Sequence, residues 1–142
     1  MKPCKAMVTE SPPPNNRKRI LVIEDDFPVR MMLVRFLESN GYEVFQEDTG
    51  SNGYQKALDL RPDLIIMDLN LPGMNGTEIC EKIKADTRIK DIPVIMMTGN
   101  FKEVKDKVKG FHLGADDYFL KPLDIAVLAA RVKTLLKQAP RE

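Results

Sequence analysis

Ile20-Leu21-Val22-Ile23-Glu24-Asp25-Asp26 is a short apolar run that ends abruptly in three carboxylates. The pattern of an apolar run closed by a polar residue recurs at Leu64-Ile65-Ile66-Met67-Asp68, Val94-Ile95-Met96-Met97-Thr98 and Tyr118-Phe119-Leu120-Lys121. Apolar runs this short, bounded by polar residues and separated by helical patterns, read as strands covered on both faces, the signature of a parallel α/β sheet. Such a sheet binds its ligands in the crevice at the carboxyl ends of the strands. Glu24, Asp25, Asp68, Thr98 and Lys121 therefore converge on one small volume.

Outward from these runs the chain alternates strand and helix. Strands are expected at about Arg19 to Glu24 (β1), Tyr42 to Glu47 (β2), Asp63 to Asp68 (β3), Ile92 to Thr98 (β4) and Asp116 to Leu120 (β5). Between β1 and β2, Val29, Met32, Leu33, Phe36 and Leu37 fall at i, i+3, i+4, i+7 and i+8, the apolar stripe of an amphipathic helix α1 that Asn40-Gly41 ends as a left-handed cap. Further helices are expected at about Ser51 to Leu60 (α2), Gly76 to Ala85 (α3), Lys102 to Leu113 (α4) and Asp124 to Lys137 (α5), the last capped by Asp124. The fold class that follows is α/β, a doubly wound five-stranded parallel sheet with helices on both faces.

At 142 residues and 43% hydrophobic, the chain is one domain with enough apolar surface for a core of its own. Residues 1–18, with Ser11-Pro12-Pro13-Pro14-Asn15-Asn16, show neither helical nor strand periodicity and read as a flexible N-terminal extension. The domain then spans 19–138, and 139–142 form a C-terminal tail. Cys4 lies in the polar extension and Cys80 within α3, so Cys80 reads as a small core residue, and no disulfide and a reducing compartment are expected. Twenty-two basic against 21 acidic side chains leave a formal net charge of +1 with no basic stripe, which argues against direct nucleic-acid binding. No apolar stretch approaches the length of a membrane span and no signal-peptide core is present, so a cytoplasmic location away from membranes is expected.

Neighbouring carboxylates at a strand end repel one another, and a cation converts that repulsion into binding. Glu24, Asp25 and Asp68 form a hard, all-oxygen set of the kind that holds magnesium, which commonly shares its shell with phosphate oxygens. No cluster of His or Cys suggests zinc. Asp68 stands alone at the end of a central strand before the loop Leu69-Asn70-Leu71-Pro72-Gly73-Met74-Asn75-Gly76, and is the candidate nucleophile. A carboxylate attacking a phosphoryl donor needs little beyond alignment and neutralisation of the transferred oxygens, which magnesium and Lys121 supply while Thr98 hydrogen-bonds.

With Ile-Leu-Val-Ile-Glu24-Asp25-Asp26, Ile-Ile-Met-Asp68-Leu-Asn-Leu-Pro72-Gly-Met-Asn-Gly76, Met-Met-Thr98-Gly and Lys121-Pro122 in this order, the sequence resembles the receiver domains of two-component response regulators, of the stand-alone, chemotaxis-regulator type. The resemblance covers about Arg19 to Lys137 and implies a flavodoxin-like sheet of strand order 2-1-3-4-5. It implies Asp68 as phosphoacceptor, Glu24 and Asp25 as the acidic pair holding Mg2+ (Mn2+ can substitute), Asn70 lending its backbone carbonyl to the metal, and Thr98 and Lys121 on the phosphoryl group. It also implies a switch through Thr98 and Tyr118 that reshapes the α4-β5-α5 face, and a cis bond before Pro122. Asp26 matches the variable residue after the acidic pair and belongs near the start of α1. By the same resemblance, Asn70 and Asn100 occupy positions that in this family tune the lifetime of the phosphoryl group.

The implied function is a response regulator receiver that takes a phosphoryl group from a histidine kinase or histidine phosphotransferase and controls a downstream protein target. The resemblance also allows a homodimer on phosphorylation, since receivers can pair through the α4-β5-α5 face. Because the chain stops soon after α5, output by protein contact is expected; the alternatives are the receiver fragment of a larger regulator or hybrid kinase, and a degenerate receiver that binds partners without phosphorylation. A magnesium-dependent phosphatase of the haloacid dehalogenase pattern requires a second Asp two residues after the nucleophile, where this chain has Asn70. Met31 and Val34 lie off the apolar stripe of α1, flank the crevice and are candidates for a phosphodonor docking patch. The mixed charges of α4, with Lys102, Lys105, Lys107 and Lys109, read as a solvated face, and the single His112 has no second ligand or nucleophile near it.

Overall fold

The four apolar runs lie side by side. In the structure, a computed structural model that describes residues 17–74, 76–99 and 114–138, five parallel strands run in the order β2-β1-β3-β4-β5. They are β1 (Arg19–Ile23), β2 (Glu43–Glu47), β3 (Leu64–Asp68), β4 (Val94–Thr98) and β5 (Asp117–Leu120). Ile23 pairs with Met67, Asp68 with Met97 and Thr98 with Leu120, so the carboxyl ends of four strands form one edge. The flavodoxin-like order and the α/β class are those expected from the sequence.

Alternation along each strand divides the core in two. Leu21, Ile23, Ile65, Met67, Val94 and Met96 face α2 (Gly50–Leu60) and α3 (Gly76–Ala85), with Cys80 buried among them. Ile20, Val22, Leu64, Ile66, Ile95 and Met97 face α1 (Phe27–Ser39) and α5 (Ile125–Gln138). Because both faces are covered, every residue of β3 and β4 is buried, which is why these runs carry no polar alternation.

Strand starts are shifted from the expected bounds for local reasons. β4 begins at Val94 because Pro93 has no N–H to place in a ladder, although its carbonyl still accepts from Ile65. Tyr42 donates to Leu37 at the end of α1 rather than to the sheet, so β2 begins one residue later. Gly41 takes φ +94° just past α1, as the Asn40-Gly41 signal requires, while Asn40 itself stays near φ −94°. Asp124 accepts from the N–H groups of Ala126 and Val127 and caps α5.

One expectation fails in α1. Met32, placed on the core stripe, is 40% exposed, whereas Val34, assigned to a surface patch, is 5% exposed, and Met31 is half-buried. The helix leans over β1 and β2 together, which turns its buried arc toward Leu33, Val34 and Leu37. A docking patch formed by Met31 and Val34 is therefore ruled out for Val34, whose side chain meets the protein and not a partner. The helix expected at 102–113, with its lysines and His112, as well as Asn100, the residues before Arg17 and the tail 139–142, lies outside the described residues. Among the described residues no helix is long and apolar enough to cross a membrane.

Candidate functional site

The buried polar side chains among the described residues are Glu24, Asp68 and Thr98, each 5% exposed or less, and all three stand at the carboxyl edge of the sheet. Burial of a charged group is costly unless partners compensate it. Glu24 follows β1, Asp68 and Thr98 close β3 and β4, and Lys121 follows β5. Lys121 reaches back across β4 and β3: its Nζ donates to Glu24 Oε1 at 2.8 Å and to Asp68 Oδ2 at 3.2 Å. The Lys121–Pro122 peptide is cis, and the Lys121 N–H donates to the Thr98 carbonyl at 2.8 Å.

Glu24 is held at every polar atom. Its N–H donates to Glu47 O at 3.0 Å, its carbonyl accepts from Arg30 Nη1 at 2.8 Å, and its second carboxylate oxygen accepts the Asp26 N–H at 2.9 Å. Desolvation pushes its carboxyl above the ordinary value despite the opposing contacts with Lys121 and the Asp26 N–H. Burial works against the Lys121 charge too, but the bond to Glu24 and the nearby Asp68 outweigh it and push the ammonium up, so it stays protonated. One ammonium does not balance the carboxylates around it. Oxygen atoms of Glu24, Asp25 and Asp68 lie within 4.8 Å of one another, with Asp25 exposed at the mouth. This donor set, hard, all-oxygen and carrying surplus negative charge, fits a magnesium ion.

The loop after β3 shapes the approach to Asp68. Leu69 and Leu71 are buried as anchors, Asn70 is exposed, and the Asn70 N–H donates to Asp68 Oδ1 at 3.3 Å. Gly76 opens α3 with its N–H on the Leu69 carbonyl, and a Cβ there would stand 2.5 Å from the Asp68 carbonyl oxygen and 2.8 Å from Leu69 Cα. Only glycine lets α3 start this close beneath the acidic residue. On the other side, Tyr118 is half-buried and packs against the core that also contains Met96, its lateral partner in the sheet. Burial pushes its phenol up. Thr98 is two residues beyond Met96, so Thr98 and Tyr118 share a face of the sheet.

Sequence reasoning missed Arg30. Its Nη1 bonds the Glu24 carbonyl, its Nε bonds Gln46 Oε1 at 2.7 Å, and its guanidinium lies 5.5 Å from the centre of the Phe27 ring. The available signal was its place one helical turn after Asp26, which points it back toward the end of β1. Asp26 stands outside the acidic pair, as the sequence implies, and contributes through its N–H rather than its carboxylate.

Residues 20–133 match the response regulator receiver domain. The chain belongs to the response regulator receiver family. A receiver is a signalling phosphoacceptor rather than a classical enzyme, receivers pair with histidine kinases, and the cluster of Glu24, Asp25 and Asp68 is typical of a receiver magnesium site. The chain is 42% identical over 123 residues to the DNA-binding dual master transcriptional regulator RpaA of Synechocystis, covering 87% of this receiver and 51% of that protein. It is 36% identical over 121 residues to the phosphate regulon transcriptional regulatory protein PhoB of Escherichia coli, covering 85% and 52%. The receiver thus spans about half the length of these curated relatives. Among solved structures, a response regulator from Chloroflexus aurantiacus superposes with a TM-score of 0.79 at 33% identity, over 87% of this chain and 100% of that one. The chemotaxis response regulator CheY4 of Vibrio cholerae superposes with a TM-score of 0.77 at 28% identity, over 84% and 99%.

Proposed function

We propose that Asp68 accepts a phosphoryl group from the phosphohistidine of a histidine kinase or histidine phosphotransferase, and that the change is passed to a protein target through the face around β5 and α5. The observation that carries this reading is the position of Lys121 Nζ between Glu24 and Asp68 at the edge where Thr98 ends the next strand. An Asp68 carboxylate oxygen forms the new P–O bond as the P–N bond of the donor breaks, and the electron pair leaves with the imidazole nitrogen. Glu24, Asp25 and Asp68, with the Asn70 backbone carbonyl, would hold magnesium, which when bound neutralises charge on the phosphoryl oxygens. Lys121, kept protonated by its carboxylate partners, adds a second positive charge, and the Thr98 hydroxyl donates a hydrogen bond.

The shared sheet face of Thr98 and Tyr118 supports the switch. Drawing the threonine hydroxyl toward a phosphoryl oxygen alters the space beside a ring that is already half-buried, a local charge event biasing a two-state side chain. Intact mass after incubation with acetyl phosphate and magnesium tests the acceptor. One added phosphoryl group, absent in Asp68→Asn and with chelator, is the expected result; addition that survives in Asp68→Asn overturns it.

A second reading has one observation in its favour. The curated relatives named above are transcriptional regulators about twice as long as the matched region, so this receiver can equally serve as the regulatory part of a longer regulator of that kind. The mass of the native protein isolated from its own cells distinguishes the two.

A further inference from the structure

We infer that Arg30, held by Gln46, is a positioning residue that aims Asp25 into the cation site. The inference rests on the reading of Glu24 and Asp25 as the pair that holds the cation. Among the described residues no protein hydrogen bond holds the Asp25 carboxylate, which is exposed at the mouth of the cluster. Its direction is set by its backbone, and the backbone at that point has left the sheet, since β1 ends at Ile23 and the last ladder-type bond is made by the Glu24 N–H. The peptide between Glu24 and Asp25 is fixed on its carbonyl side by Arg30 Nη1 at 2.8 Å. Fixing that carbonyl fixes the plane from which Asp25 departs.

Arg30 is itself held from three sides. Its N–H makes a helical bond to the Asp26 carbonyl at 2.9 Å, Nε donates to Gln46 on β2 at 2.7 Å, and the Phe27 ring covers the guanidinium. Two separate nitrogens on two acceptors require the planar fork of arginine, and a lysine reaches only one of them. Partners of this outer kind orient the groups that bind a metal directly, and losing them typically weakens binding by about tenfold or more.

Simple electrostatics and positioning predict opposite signs. Removing a positive side chain close to a cation site relieves repulsion and tightens the metal, whereas removing a positioning group weakens it. The test is calorimetric titration of magnesium into the unphosphorylated full chain, for the wild type, Arg30→Met, Arg30→Lys and Gln46→Ala. The expected result is about tenfold weaker binding in Arg30→Met, partial recovery in Arg30→Lys, and a smaller loss in Gln46→Ala. Unchanged or tighter binding in Arg30→Met overturns the inference. If that variant does not fold, Gln46→Ala decides, since its side chain is exposed on an edge strand, and unchanged affinity there overturns the inference. Failure of the wild type to bind magnesium overturns both this inference and the cation-site reading beneath it; binding by the wild type with unaltered variants overturns the role of Arg30 alone.

Discussion

Lys121 Nζ lies 2.8 Å from Glu24 Oε1 although the two residues are 97 positions apart, and it is the tie between the last strand of the sheet and the first. Glu24 is fully buried, and its carboxyl is already pushed up by desolvation, so the ammonium is what makes an ionised Glu24 tolerable there.

Lys121→Met removes that tie. The metal-free protein should lose about 2 kcal/mol, the scale expected when a charged hydrogen bond to a buried carboxylate is lost in a half-buried site. Magnesium should recover part of the loss by replacing one positive charge with another. Urea unfolding with chelator and with magnesium measures both, and a variant as stable as wild type in chelator would show that other groups offset the burial of Glu24.

Gly76→Ala should reach the site without touching a charged group. The added Cβ meets the Asp68 carbonyl oxygen and Leu69 Cα, both backbone, so α3 must move away. A destabilisation of about 1 to 3 kcal/mol is expected from overpacking, together with slower labelling of Asp68 by acetyl phosphate. Unaltered melting and labelling would mean that the loop after β3 yields freely.

Val34→Glu and Met32→Glu separate the observed face of α1 from the one its periodicity suggests. Val34 is 5% exposed, and a glutamate there should cost about 2 kcal/mol or more; Met32 is 40% exposed, and the same change should stay within about 0.5 kcal/mol. Chemical denaturation of the two variants checks the order, and a reversed order would return Met32 to the core.

Asp86 supplies a pH signature remote from the acidic cluster. Its carboxylate accepts from the Arg88 side chain at 2.6 and 2.9 Å, from the Arg88 N–H at 2.9 Å and from the Tyr54 hydroxyl at 3.0 Å, and the Arg88 contacts hold it well below the usual aspartate range. A depressed native pKa means stability that is fully present above the ordinary value near 3.8 and lost progressively as pH falls from there through the lower native one. Carbon NMR of the Asp86 carboxyl should show it still ionised where ordinary aspartates protonate, and Arg88→Gln should return it toward 3.8. Ordinary titration in the wild type would show that the Arg88 pair is not formed in solution.

Two parts of the molecule were not readable along the chain. The phase of α1 escaped because the i, i+3, i+4 pattern admits neighbouring arcs when Met31, Met32, Leu33 and Val34 are all apolar, and the choice was made by how the helix sits over β1 and β2. The role of Arg30 escaped because its partners are a backbone carbonyl on β1 and a side chain 16 positions away on β2, neither of which leaves a periodic trace.

The sequence by itself determined the strands, their parallel order by family resemblance, and the residues that end them. Continuous apolar runs can be satisfied only by burial on both faces, and a polar residue at the end of such a run must emerge at the sheet's edge. Tertiary structure alone decided the bonds among those ends: Lys121 on Glu24 and Asp68, Arg30 on the Glu24 carbonyl, Gly76 beneath Asp68. These depend on separations of a few ångströms between segments distant in the chain, which follow from strand order and helix packing and not from local spacing.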